Sequence, residues 1–201
     1  MIEDIYLAFD LMEKGQLQEA IHWLDNLSVS ENSSEYYDYL SAYGYVYTEV
    51  KEFSEAYRSY EAYLTKAISE GSFRHQHMAY HQLCMVARLQ RDYSKARAYL
   101  AQEAEIIQDH FAEDAQVWAI HLYEVGYISF LMGETSDAEK QMSTSLDFAL
   151  QTDDLIAQAC AYRGLGEILS SRFHFEKAKA LFQQAGDSIG CQEIDDLMAN
   201  L

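Results

Sequence analysis

Residues 162–182, YRGLGEILSSRFHFEKAKALF, carry the pattern that decides the fold of this chain. A large residue at the start is followed by the large–small pair Leu165-Gly166, and Leu169, Ala178 and Phe182 complete the pattern. Positions three, four and seven apart lie on one face of an α-helix. Small residues such as the glycine and the alanine allow two helices to pack about 8–10 Å apart. The stretch therefore predicts two antiparallel helices joined by a short turn.

The same pattern occurs four more times upstream, with a weaker start in the first copy. Its alanines recur at Ala20, Ala56, Ala96, Ala138 and Ala178, so that the copies lie 36, 40, 42 and 40 residues apart. Such self-similarity is typical of repeat proteins, in which each unit stacks on the next and a cap closes the end. We expect one domain over residues 1–201, with repeats at about 1–33, 34–72, 73–112, 113–152 and 153–189 and a cap at 190–201.

The pattern resembles the tetratricopeptide repeat, whose frame is W-x2-L-G-x2-Y followed by A-x3-F. The resemblance covers almost the whole chain and implies an all-α fold, a right-handed α–α superhelix of five helix-turn-helix repeats with a C-terminal capping helix. The chain contains no proline, although the family closes its repeats with one, and its repeats are longer than the usual length of about 34 residues. Steps of about 40 residues resemble the branch of the family that includes peptide-sensing domains of Gram-positive regulators and cargo-binding repeats of motor light chains.

The charge of the chain limits its partners. It contains 33 Asp and Glu against 14 Lys and Arg, a net charge of −19. Nucleic acids and anionic membrane surfaces attract basic proteins, so we expect neither as a partner. The three cysteines are far apart, and the N-terminal stretch lacks the basic start and apolar core of a signal peptide. We therefore expect a cytoplasmic protein without a disulfide framework.

Two patterns resemble chemical sites, and neither supports one. His77 and His81 lie one helical turn apart with Cys84 on the same face, a spacing that zinc sites use. Cys84, however, occupies the small position of its repeat, where core packing accounts for it. Gly164 and Gly166 form a lone GxG in a helical stretch, without the strand and third glycine of a dinucleotide loop. We expect no enzyme activity, no cofactor and no metal.

In the family that the repeats resemble, the first helices of successive repeats line a concave face that binds the ligand. Carried onto this chain, the resemblance implies a protein- or peptide-binding surface that contains Phe9, Tyr45, His81, Met85, Arg88, Tyr123, Tyr127, Phe130 and Arg163. The aromatic and methionine members would give adaptable apolar contacts. Arg88, Arg163 and His81 would bind an acidic side chain or a C-terminal carboxylate. The alternative is that these residues pack inside a tightly wound superhelix or against the first and last helices.

The sequence thus predicts a non-catalytic adaptor that holds an apolar protein or peptide segment, with or without an acidic or C-terminal carboxylate anchor, in a concave groove. The carboxylate clamp of chaperone-tail binders is excluded, because its lysine and asparagines are missing from the corresponding positions. Two other functions remain open. One is a signal-peptide sensor domain of a regulatory system, and the other is a secretion-type chaperone that shields an apolar segment. The oligomeric state is also open.

Overall fold

The computed structural model describes residues 2–201, and the side chains of all of these except Ile2 and Glu13. The described residues form eleven α-helices and no strand. Their bounds are α1 Ile2–Glu13, α2 Leu17–Asp25, α3 Tyr36–Glu49, α4 Phe53–Ser69, α5 Phe73–Leu89, α6 Tyr93–His110, α7 Ala115–Leu131, α8 Thr135–Ala149, α9 Leu155–Leu169, α10 Arg172–Ala185 and α11 Ser188–Ala199. Helices α1 to α10 form five consecutive hairpins, each with a first and a second helix, and α11 follows them. Within this part of the chain, no helix has the length and apolar character needed to cross a membrane.

The five hairpins turn in nearly the same way. In the first four, one residue with a positive φ follows the first helix: Gly15, Lys51, Arg91 and Gly133, at 72°, 63°, 61° and 80°. The next amide then donates to a carbonyl of the first helix, as Glu52 N does to Tyr47 O at 2.9 Å, which is a helix ending that a left-handed residue permits. In the fifth hairpin Ser170 takes this place, and α10 begins at Arg172. Backbone geometry at one position therefore ends each first helix.

Small residues let the two helices of a hairpin approach closely. Gly44 of α3 faces the ring of Tyr60 in α4, and a Cβ atom on this glycine would lie 2.5 Å from that ring. At Gly126 of α7 the neighbour is the backbone of α8. Ala8 and Cys84 hold the same position in other repeats and are completely buried. The small position of the pattern thus lies where the helices of a hairpin cross.

The chain divides into two compact units, and the division falls within α6, between Glu103 and Ala104. In the first unit, α1 packs on α2 and α3, α3 on α4, and α4 on α5. In the second unit, α7 packs on α8 and α9, α9 on α8 and α10, and α10 on α11. The first helices α1 and α3, and likewise α7 and α9, are therefore neighbours within their units. The expectation of one domain over residues 1–201 stays a prediction.

Candidate functional site

The first unit places two of the predicted aromatic residues side by side on neighbouring first helices. Phe9 of α1 and Tyr45 of α3 have ring centroids 6.4 Å apart, with their planes tilted by 38°. Tyr45 keeps 44% of its surface exposed, whereas Phe9 is half-buried. An exposed aromatic ring that packs against a second ring offers an apolar surface that a partner side chain can cover.

The three predicted residues of α5 are all half-buried. Arg88 directs Nη2 to the sulfur of Met85 at 3.3 Å. His81 Nδ1 lies 3.4 Å from Oε1 of Glu103 in α6, and His77 Nδ1 lies 3.8 Å from the same oxygen. Glu103 is only 2% exposed, so two imidazoles flank a buried carboxylate. Among the side chains that the structure describes, no group of three His, Cys, Asp or Glu is arranged to hold a metal ion.

In the second unit, three predicted aromatic residues form a continuous series along α7. The rings of Tyr123 and Tyr127 stack almost in parallel, with centroids 5.8 Å apart and planes 7° apart. The ring centroids of Tyr127 and Phe130 are 6.2 Å apart. Arg163 of α9 lies against the two tyrosines, with its guanidinium carbon 6.0 Å and 5.8 Å from their ring centroids. This is a cation–π arrangement, and it brings four of the predicted site residues together.

The guanidinium of Arg163 is bound by other groups of the chain. It donates to the hydroxyl oxygen of Tyr123. Its Nη1 lies 2.8 Å from the carboxylate of Glu193 in α11, and its Nε lies 3.6 Å from that of Glu167 in α9. Burial raises the pKa of Glu167, and the charge of Arg163 opposes this shift. The residue predicted as part of a positive spot therefore stands between two carboxylates of its own unit.

A cavity of about 290 Å³ lies beside Phe130, between residues of α7, α9, α10 and α11. Phe130, Phe175 and Leu197 are apolar parts of its lining, and Glu167 and Asn200 are polar parts. The cavity thus continues the aromatic series of α7. Glu167 belongs both to this lining and to the surroundings of Arg163.

Sequence reasoning missed the contribution of α11, which the pattern predicts only as a cap. Glu193 of α11 binds Arg163, and Leu197 lines the cavity. The signal lies at the start of the helix. Asp187 accepts a hydrogen bond from a backbone amide in the first turn of α11, as the aspartates that precede α7 and α9 do in their helices. In this respect α11 begins like α7 and α9, the first helices of its unit.

Comparisons with known proteins identify the fold. Neither a protein-family model nor a curated protein sequence matches the chain. Among solved structures, it is similar to BtubC (BKLC) from P. vanneervenii, with a TM-score of 0.62 and 16% identity, covering 100% of this chain and 82% of that one. It is also similar to a putative kinesin light chain with nearly identical TPR-like repeats from Podosopora anserina, with a TM-score of 0.62 and 14% identity, covering 98% and 94% of the two chains. A variant form of that protein gives a TM-score of 0.63. These similarities confirm the predicted all-α fold of tetratricopeptide-like repeats.

Proposed function

We propose that this protein is a non-catalytic adaptor that holds a segment of a partner protein against its first helices. One observation carries the proposal: aromatic side chains at the expected ligand-facing positions cluster in both units. Phe9 contacts Tyr45, and Tyr123 stacks on Tyr127, which contacts Phe130. Aromatic residues anchor protein interfaces because they bury a large area and lose little side-chain entropy. A helical repeat scaffold supplies the extended surface that such anchors need.

The partner segment that suits these clusters carries apolar side chains. Tyr45 offers an exposed ring, and the cavity beside Phe130 offers a recess. Its volume of about 290 Å³ corresponds to roughly ten water molecules at their share of liquid volume. Met85 of α5 adds a flexible thioether, a side chain that adapts to differently shaped partners.

An acidic anchor on the partner has less support than the apolar contacts. Arg163 already lies between Glu167 and Glu193, and His81 lies beside Glu103. An incoming carboxylate would compete with these acids and would meet a chain of net charge −19. The aromatic clusters therefore supply the affinity for the partner.

A reducing compartment suits this chain. Cys84, Cys160 and Cys191 are free thiols, and Cys84 is buried. The cytoplasm keeps thiols in this state, whereas disulfides form and persist in oxidising compartments. We therefore propose a cytoplasmic location for the adaptor.

Site-specific photo-crosslinking tests the proposal. A photoreactive phenylalanine analogue at Tyr45 or at Phe130 is expected to crosslink a partner protein in cells, because both positions belong to the aromatic clusters. The matched control carries the same analogue at Phe173, an aromatic residue of the second helix α10 that is 59% exposed. Mass spectrometry of the crosslinked species should give the same polypeptides for positions 45 and 130 and none of them for position 173.

Two results would count against the proposal. Equal crosslinking from all three positions would show that contact with the partner is not confined to the first helices. Crosslinking from none of them would remove the adaptor function.

In a second arm, Tyr45→Ala and Phe130→Ala should each weaken capture of the crosslinked partner while the circular dichroism spectrum stays helical.

A further inference from the structure

The lining of the cavity beside Phe130 combines apolar side chains with one acidic side chain. Phe130, Phe175 and Leu197 are apolar parts of the lining, and Glu167, whose side chain is 16% exposed, is its acidic part. A group that satisfies both parts has an apolar stem and a positively charged head. Lysine and arginine have this shape, since they bury their methylene stems while the charged end keeps polar partners.

Glu167 is the acid of the cavity lining, and acidic groups also outnumber basic ones around its neighbour Arg163. Arg163 is the guanidinium that lies between Glu167 and Glu193, and Glu193 keeps 52% of its side chain exposed. One positive charge thus faces two negative charges, which leaves a negative excess for a ligand. Residues 104–201 as a whole contain 17 Asp and Glu against 5 Lys and Arg. The electrostatic field of this unit therefore favours cations over anions.

Arg163 illustrates the chemistry that this surface accepts. Its guanidinium lies against the rings of Tyr123 and Tyr127 and pairs with carboxylates. Phe130 continues the aromatic series from Tyr127 to the cavity. A cationic side chain that enters from a partner would meet the same two kinds of group, an aromatic ring at Phe130 and a carboxylate at Glu167.

We infer that the surface formed by α7, α9 and α11 binds a basic segment of a partner polypeptide, in which Lys or Arg residues are interspersed with apolar ones. One basic side chain enters the cavity, with its stem against Phe130 and Leu197 and its head at Glu167. A second basic residue pairs with Glu193. The inference rests on the proposed adaptor function and adds the chemical class of the segment that is held. Burial raises the pKa of Glu167, and a bound cation offsets the cost of keeping this carboxylate charged.

Three fluorescently labelled decapeptides test the inference against the whole protein. They share the same apolar residues and differ only at the remaining positions, which are Lys and Arg in the first, Glu and Asp in the second and Gln in the third. Fluorescence anisotropy gives the dissociation constant of each. We expect the basic peptide to bind at least about tenfold more tightly than the acidic one at low salt, because like charges across an interface repel. The preference should shrink as salt is added.

Substitutions locate the binding. In the double variant Glu167→Gln/Glu193→Gln, the basic peptide should bind about tenfold more weakly, and its advantage over the Gln peptide should vanish. The control double variant Glu139→Gln/Asp147→Asn removes two exposed acids of the second helix α8 and should leave the affinity within about twofold. Phe130→Ala should weaken the basic and the Gln peptide alike, since it removes the shared apolar contact.

Each other result overturns the inference. Tighter binding of the acidic or the Gln peptide would reject a basic segment, and so would a loss in the control variant equal to that in the site variant. Absence of binding of the basic peptide at about 1 mM would reject it as well.

The adaptor function fails separately. If crosslinks from Tyr45 and Phe130 persist while the basic peptide shows no preference, the protein still holds a partner, and only the chemistry assigned to that partner is wrong.

Discussion

Three glycines at the small position of the repeat set the distance between the helices of a hairpin. A Cβ atom on Gly44 would lie 2.5 Å from the ring of Tyr60, and one on Gly166 would lie 2.6 Å from the ring of Phe175. Both of these aromatic residues are only 2% exposed, so their rings have little room to move. On Gly126, a Cβ atom would lie 3.1 Å from a backbone nitrogen of α8. A residue larger than glycine at these positions would therefore push the two helices of the hairpin apart or displace the neighbouring ring.

Gly44→Ala is expected to lower the free energy of unfolding by about 1–3 kcal/mol, because the added methyl group displaces the buried ring of Tyr60. In an open helix the same change would raise stability by about 1 kcal/mol, since alanine is the better helix former. A loss of stability therefore indicates that close packing dominates at this position, and a gain indicates that helix propensity dominates. Urea denaturation followed by circular dichroism measures it. A gain in stability would mean that α3 and α4 are not in close contact at this position.

His75 contacts two tyrosines, Tyr37 and Tyr63. Its ring stacks on that of Tyr37, with centroids 3.8 Å apart and planes 2° apart, and its Nδ1 shares a hydrogen bond of 2.6 Å with the hydroxyl of Tyr63. Burial lowers the pKa of His75 from its usual 6.5, and the negative charge of Glu70 opposes the shift. The folded state therefore favours the neutral imidazole.

This preference makes stability depend on pH. Because the pKa of His75 is lower in the folded than in the unfolded state, the unfolded state binds more protons near that pKa, and stability rises with pH. The stability that the neutral imidazole of His75 contributes is present above the unfolded-state pKa of about 6.5. It is lost as the pH falls from there through the folded-state pKa. We expect the difference in unfolding free energy between the wild type and His75→Gln to shrink on acidification from about pH 7.5 to about pH 5.5. A difference that does not vary with pH would show that His75 titrates equally in both states.

At the level of helices, α7, α9 and α11 of the second unit begin differently from α3 and α5 of the first unit. In the second unit, the side chains of Asp114, Asp154 and Asp187 accept hydrogen bonds from backbone amides in the first turns of α7, α9 and α11. In the first unit, Glu35 and Ser72 precede α3 and α5 without a side-chain bond of this kind. A capping aspartate satisfies an open amide and also places negative charge at the positive end of the helix dipole. These caps fix the start of each helix that carries the candidate site in the second unit.

Asp187→Ala is expected to cost about 1 kcal/mol and to loosen α11 more than other helices, because the amide of Gly190 loses its 2.9 Å bond to the carboxylate. Asp187→Asn is the matched control, since its side chain keeps an accepting oxygen. Hydrogen exchange of the α11 amides, read by NMR, measures the effect. Equal exchange in the wild type and in Asp187→Ala would show that packing on α10, and not the cap, holds this helix.

The repeat pattern predicts the hairpins because it consists of the residues that pack. Ala56, Ala138 and Ala178 are completely buried, and their spacing follows from the helix crossings. The same pattern does not predict the partners of Arg163. Glu193 is 30 residues away in sequence and comes near only because α11 packs on α10. The sequence thus predicts the first helices and their aromatic residues, whereas the pairing of charges depends on tertiary packing.

At the scale of the whole molecule, negative charge dominates both units. Residues 1–103 contain 16 Asp and Glu against 9 Lys and Arg, and residues 104–201 contain 17 against 5. Close ion pairs such as Lys179–Asp195, at 2.5 Å, lie at the surface, where each contributes little to stability. The excess acids repel one another within each unit and oppose the compact state.

Added salt is therefore expected to stabilise this protein. The screening length falls from about 30 Å at 0.01 M to about 8 Å at 0.15 M salt, which weakens repulsion among many distant acids more than attraction within a few close pairs. Between these concentrations, the midpoint of thermal unfolding should rise by about 2–5 °C in calorimetry. The variant Glu139→Lys/Asp147→Lys, at two exposed positions of α8, reduces the negative excess. It should melt higher than the wild type at low salt and gain less from added salt. A midpoint that falls as salt is added would show that attractive ion pairs outweigh the repulsion, and the acidic surface would then stabilise the fold through its pairs.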